Sequence, residues 1–241
     1  MNYLDHLLFG FYPYICLTVF LLGSLIRFDR DQYTWKSDSS QLLRAGQLRW
    51  GSNLFHVGIL FLLGGHSMGL LTPHFVYEPF VSAPDKQLMA MVSGGLFGLL
   101  GFIGVSILLH RRLSDDRIRI NSKTSDILML VLLWLQFALG LATVPVSAHH
   151  LDGAMMMRLA EWAQHIVTFR AGAPEFLAGA GFIFKAHMFL GMTIFLVFPF
   201  TRLVHVWSGI GVLGYIVRPY QLVRSRRLGI TPSTPLSQRQ N

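Results

Sequence analysis

A single cysteine, Cys16, is present, and it lies inside an apolar run. One thiol excludes an internal disulfide and any zinc or iron–sulfur centre built from cysteines of this chain. Charge is scarce as well. Only 13% of the residues are Asp, Glu, Lys or Arg, against about 25% in an average soluble protein. A soluble fold of 241 residues with 52% hydrophobic side chains would lack the charge to cover its surface. The composition is that of an integral membrane protein. No internal repeat, low-complexity block or nucleic-acid-binding module is visible. The formal net charge of +8 therefore reads as a topology signal and not as affinity for nucleic acid.

Five apolar runs reach the length of about 20 helical residues that a bilayer requires, at about 7–26, 50–71, 88–109, 127–146 and 181–204. The first has no basic region ahead of it and no small-residue cleavage pattern after it, so it is expected to stay as a helix. Arg27, Arg30, Lys36, Arg44 and Arg49 fall between runs one and two, and Arg111, Arg112, Arg117, Arg119 and Lys123 between three and four. Arg218, Arg224, Arg226, Arg227 and Arg239 follow the fifth, with Arg202 just inside its end. The other connections are sparse: Lys86 in one, Arg158 and Arg170 in the other. Basic loops stay in the cytoplasm. The expectation is an all-α bundle of five transmembrane helices, N-terminus outside and C-terminus cytoplasmic. One membrane domain fills residues 1–226, and 227–241 form a polar cytoplasmic tail. In the fourth connection Met155, Met156, Leu159, Trp162, Ala163, Ile166 and Val167 recur at helical spacing, broken by Arg158, Glu161 and Gln164. This predicts an amphipathic helix, either lying on the outer membrane face or packed over the bundle.

Histidine is where chemistry enters. Of ten histidines, His6, His74, His110, His149, His150 and His165 fall in loops or at helix ends, where imidazole reaches water. His56 and His66 in the second run, and His187 and His205 in the fifth, do not. An imidazole in hydrocarbon costs free energy unless something uses it. The second run leads outward, so His66 is about 15 Å further out than His56. The fifth leads inward, so His205 is about 27 Å further in than His187. Opposite directions pair His66 with His187 near the outer face and His56 with His205 near the inner face. Eighteen residues make five turns, which puts His187 and His205 on one helix face, and Pro199 permits a kink between them. Two imidazoles on facing helices can clamp a flat group, and a haem ligated on both sides fits. Gly58, Gly64, Gly65, Gly69 and Gly191 would let such a ring approach the backbone. The bland alternative is four packing histidines hydrogen-bonded to neighbouring helices. A proton-conducting histidine chain is a third reading, but runs two and five carry no Asp or Glu to support it.

The stretches "NLFHVGILFLLGGHSMGLLTPH", "KQLMAM", "FIFKAHMFLGMTIFLVFPFTRLVH" and "QYTWKSDSSQ" resemble the gamma subunit of membrane-bound respiratory nitrate reductase. The resemblance runs from about residue 12 to about residue 226. That family is a di-haem cytochrome b, and the four histidines match its ligands in position and order. The resemblance implies two non-covalent, bis-histidine haems b: His56 and His205 on the inner iron, His66 and His187 on the outer. It implies a quinol:nitrate oxidoreductase complex of a bacterial inner membrane. Membrane quinol, menaquinol or ubiquinol, is oxidised near the outer haem with proton release outside. Electrons pass through the outer and then the inner haem to a cytoplasmic iron–sulfur beta subunit. Nitrate is reduced on a molybdenum-containing alpha subunit, not on this chain.

Lys86 matches a lysine of the family's quinol site, with Gly65 and His66 as the neighbouring wall. A lysine at the membrane surface can hydrogen-bond a quinol oxygen and favour its deprotonation; otherwise it is a snorkelling residue. Haem propionates are anionic, so at least one of Arg111, Arg112 and Arg202 at the inner helix ends is expected to contact them; otherwise all three serve only the positive-inside bias. The absence of Cys-x-x-Cys-His excludes covalent attachment of haem. Two alternatives stand beside this reading. One is the cytochrome b of a hydrogenase or formate dehydrogenase. The other is a histidine-based membrane transporter or proton channel.

Overall fold

The computed structural model describes residues 3–31 and 43–207. Lys36 and the tail 227–241 lie outside them, as do Arg218, Arg224 and Arg226. The chain divides into a unit Met1–His205 and a unit Val206–Asn241; every feature below belongs to the first. The described residues are mostly helical and contain no strand. Eight helices follow one another: α1 (Tyr3–Arg30), α2 (Ala45–Leu71), α3 (His74–Tyr77), α4 (Ala83–Ser114), α5 (Asp116–Ile120), α6 (Thr124–Ala148), α7 (Ala154–Val167) and α8 (Phe182–Val197). Five of the helical stretches are long and apolar enough to cross a membrane: α1, α2, α4, α6, and α8 with its continuation to Phe200. Several run past the apolar windows because polar residues extend the ends. The Ser82 hydroxyl accepts from the Asp85 N–H and caps α4, with Pro84 in the first turn.

Packing between α2 and α4 depends on glycine. A Cβ on Gly58 would stand 2.5 Å from the Gly101 nitrogen. Gly104 meets the backbone of Phe55 and Gly51 in the same way. Small residues let two helix backbones touch where lipid offers no hydrophobic drive for association. Side chains such as Leu60, Phe61, Val92 and Leu96 are exposed, which suits the lipid-facing exterior of a bundle. Val105, Met129, Leu133 and Phe137 form a core between α4 and α6. A second core joins Phe9, Cys16, Trp162, Ile166, Leu177 and Met192 from α1, α7, the turn Ala173–Leu177 and α8.

Two prolines shape the helices that border the site. Pro13 has no N–H to give the Phe9 carbonyl, and its ring would crowd that carbonyl in a regular helix. The chain widens into a π-turn at Leu7–Phe11, closed by the Tyr12 N–H on the Leu7 oxygen. The indole of Trp162 then donates to the Phe9 oxygen at 2.9 Å. Pro199 acts more severely. The fifth run was expected to be one helix with at most a kink. Instead α8 stops at Val197, followed by 3-10 turns at Phe198–Phe200 and Arg202–Val204 with extended Thr201 between them. Arg27 of α1 donates to the freed Pro199 and Thr201 oxygens, at 2.6 and 2.9 Å. The five-turn phase relation between His187 and His205 therefore does not hold, because no continuous helix joins them.

Of the two placements open to α7, the structure takes the one packed over the bundle. Its apolar face buries Ala160, Trp162, Ala163 and Ile166. On the polar side the Gln164 amide donates to the Leu70 and Thr72 oxygens, at 3.0 and 3.3 Å, and so closes the C-terminal end of α2. Buried Gln87 of α4 donates to the Ser147 and His150 oxygens and accepts from the Gly153 N–H, tying the end of α6 to the start of α7.

Candidate functional site

His56 and His66 project from α2. His187 projects from α8, and His205 follows the turn Arg202–Val204. The structure brings them together in two pairs. The His66 and His187 rings lie 6.2 Å apart between centroids, with their planes at 42°. The His56 and His205 rings lie 6.3 Å apart at 72°. Hydrogen bonds select the free nitrogen in three of the four. His56 Nδ1 donates to the Ser52 carbonyl at 2.7 Å, His66 Nδ1 to the Leu62 carbonyl at 2.7 Å, and His205 Nδ1 to the Arg202 carbonyl at 2.6 Å. Each bond fixes the tautomer with a lone pair on Nε2, the arrangement of a metal-ligating imidazole. His187 differs: its Nδ1 is buried without a partner.

The spacing tests what such a pair could hold. Nitrogens directly bonded to each other would bring the rings closer than this. A metal–imidazole bond of about 2.0–2.1 Å plus about 1.1 Å from nitrogen to ring centre, taken twice, gives about 6.3 Å. Among the described residues no group of three or more His, Cys, Asp or Glu side chains could hold an ion. Each pair thus supplies two imidazole rings and, among the described residues, no further ligand cluster. That donor set suits an iron whose other four ligands come from a macrocycle, as in haem.

The glycines divide into two groups. Gly64, Gly65 and Gly69 have no atom within 4 Å of an added Cβ, so the surface beside His66 is open to a ring. Gly58 does not serve that purpose, because it is spent on contact with Gly101. Gly191 faces the Gln136 side-chain nitrogen, 3.1 Å from an added Cβ.

At the end of the bundle where α1 and α8 begin, the Lys86 amine touches an aromatic ring and not an acid. Its Nζ is buried, has no hydrogen-bond partner and lies 3.5 Å from the centroid of the Tyr77 ring. A cation held on an aromatic face keeps its donor capacity unspent. Burial first, then the carboxylates of Glu78 and Glu161, push the Tyr77 phenol up from its ordinary value. Lys185, at the start of α8, pairs with Asp5 of α1 at 2.9 Å.

At the opposite end the three arginines are engaged within the protein. Arg111 is buried and donates to the Leu43 carbonyl at 2.6 Å. Arg112 donates to the Ser122 hydroxyl at 2.8 Å and lies 3.5 Å from the Asp126 carboxylate. Arg202 grips Asp126 with two parallel bonds, Nε and Nη2 each at 2.8 Å. The same Arg202 offers its carbonyl to His205.

The comparisons with known proteins decide the family. The family model described as nitrate reductase gamma subunit matches residues 5–226. The chain belongs to the nitrate reductase gamma subunit family. It is 54% identical over 228 residues to the respiratory nitrate reductase 2 gamma chain of Escherichia coli K12, covering 94% of this chain and 100% of the relative. The respiratory nitrate reductase 1 gamma chain of the same strain is 50% identical over 226 residues, with the same coverage. The nitrate reductase gamma chain of Bacillus subtilis 168 is 38% identical over 221 residues, 91% of this chain and 98% of the relative. Membership favours this family over the hydrogenase and formate dehydrogenase cytochromes.

Four residues of this gamma subunit's site escaped sequence reasoning: Asp126, Gln136, Tyr77 and Arg27 as a clamp on α8. Two left a signal. Gln136 is an amide within an apolar run, and Asp126 is a carboxylate beside a strongly basic loop. Either costs free energy in hydrocarbon unless partnered. Tyr77 and Arg27 gave none, because their partners are distant in sequence.

Proposed function

We propose that this gamma subunit is the quinol-oxidising, di-haem cytochrome b anchor of a respiratory nitrate reductase in a bacterial inner membrane. The observation that carries the reading is the pair of histidine clamps. Both have a ring separation matched to a bis-imidazole iron, and they stand at different depths along α2. His66 and His187 would hold one haem b, and His56 and His205 the other. Haem, when bound, supplies a one-electron carrier, and two at different depths supply a path across the membrane.

The basic connections Arg44–Arg49 and Arg111–Lys123 put the His56–His205 end in the cytoplasm and the N-terminus outside. The iron–sulfur beta subunit and the molybdenum-containing alpha subunit of the resembled complex would dock on that inner end. Quinol binds at the other end, against the open surface of Gly65 and His66. Lys86 donates to a quinol oxygen there and stabilises the charge left as its proton departs. The proton leaves outward, and charge separation follows without a proton channel through the chain. Arg202 is the propionate contact of best placement, since it borders His205 and its side chain is 22% exposed.

A reduced-minus-oxidised spectrum of the purified complex, with haem extracted and counted, tests this. The expected result is two low-spin haems b per gamma chain. One haem per correctly folded chain would remove the two-clamp assignment, and none would return the chain to the transporter class.

A further inference from the structure

Three of the four paired histidines donate Nδ1–H to the carbonyl three or four residues earlier. His187 does not, and its Nδ1 is buried without a partner. A second orphan belongs to the α6 residue that touches this ring: Gln136 Oε1, an acceptor, is also buried and unpaired. The Gln136 side-chain nitrogen lies 3.5 Å from His187 Nε2, the long limit of a hydrogen bond. An imidazole N–H without an acceptor and an amide oxygen without a donor are complementary. In hydrocarbon neither has water to fall back on.

The backbone around the two is cut away. A Cβ on Gly140 would stand 3.0 Å from His187 Cε1, and one on Gly191 would stand 3.1 Å from the Gln136 nitrogen. The niche has room for one amide and one imidazole and little else. The main-chain carbonyl of Gln136 also interacts with the ring, yet it leaves Nδ1 unsatisfied.

We propose that Gln136 is the positioning residue of the outer haem ligand. Its Oε1 accepts from His187 Nδ1–H and so presents Nε2 to the iron. The role requires the His187 ring to turn, so that Nε2 leaves the amide nitrogen it now lies 3.5 Å from and Nδ1 meets the amide oxygen. The inference rests on the haem reading above. In the other clamp each ring donates Nδ1–H to a backbone carbonyl, with the Ser52 hydroxyl also 3.2 Å from His56 Nδ1, whereas at His187 the acceptor would be a side chain alone. A hydrogen bond from the distal ring nitrogen makes an imidazole a stronger ligand to oxidised iron. Removing it favours the reduced form and raises the reduction potential.

The experiment is a redox titration of the intact complex, wild type and Gln136→Leu, following the two haems separately by optical and low-spin paramagnetic resonance spectra. The expected result is two haems retained, with the outer one shifted toward reduction by about tenfold in its equilibrium, or 59 mV for one electron. Its resonance should move as the His187 ring turns, and the inner haem should stay unchanged as the internal control. An unmoved outer haem, or an equal shift in both, overturns the proposal. If Gln136→Leu fails to assemble, Gln136→Asn, which keeps the amide but cannot reach, carries the test with the same outcomes. Fewer than two haems in the wild type would sink the haem reading itself. Two haems with an unmoved outer potential would sink only the role of Gln136.

Discussion

Replacing Asp126 by alanine should loosen the Arg112–Arg202 end of the bundle more than any substitution of a single arginine there. The Asp126 side chain is 9% exposed and receives both Arg202 bonds at 2.8 Å, with Arg112 at 3.5 Å. Breaking a buried ion pair from one side costs about 3–5 kcal/mol, because the surviving charge stays buried. Arg202, at 22% exposure, can turn toward water, whereas Arg112, at 10%, cannot. The lower figure, about 3 kcal/mol, is therefore expected. Membrane complexes unfold irreversibly, so the measurement is the rate of thermal inactivation in detergent. If the contact is lost before the unfolding barrier, about 3 kcal/mol speeds inactivation by roughly 100-fold. The inner haem spectrum should broaden as well, since Arg202 also holds the Nδ1 of His205. Adding Arg112→Leu to Asp126→Ala removes the stranded charge and should restore part of the loss. Inactivation of Asp126→Ala at the wild-type rate, unaffected by Arg112→Leu, would refute the reasoning.

Three further outcomes are expected. Lys86→Ala should keep both haems and normal assembly but slow haem reduction by quinol at least tenfold, while nitrate reduction from an artificial donor stays near normal. Quinol oxidation at the wild-type rate would move the site elsewhere. Trp162→Phe should cost about 1–3 kcal/mol in thermal inactivation assays, because the Phe9 carbonyl, already deprived of the Pro13 donor, loses the indole N–H. Gly58→Val should force α2 off α4 and reduce the membrane-inserted yield of both haems together, whereas Gly64→Val, facing open space, should leave assembly intact; equal yields from the two would contradict the close contact.

What the sequence determined by itself is whatever composition and period carry. Low charge and five apolar runs state the class and the number of spanning helices, because lipid leaves a spanning segment no alternative to internal hydrogen bonding. Four histidines inside those runs mark where to look for a site, since an idle imidazole in hydrocarbon costs its desolvation. Which of them meet was also legible, because helices that run antiparallel order their residues by depth. What only the tertiary structure decided depends on partners far apart in the chain. Pro199 said that α8 could bend, but the full break, held by Arg27 from α1, needed the two helices side by side. Gly58 looked like room for a ring until Gly101 was seen to fill it. Lys86 stood alone in the sequence, and the Tyr77 ring beneath it comes from packing. Gln136 and His187 are 51 residues apart, and nothing local marks one as the answer to the other's missing hydrogen bond. Periodicity fixes which face a side chain occupies. It carries no information about which polar atoms on other helices that face will meet.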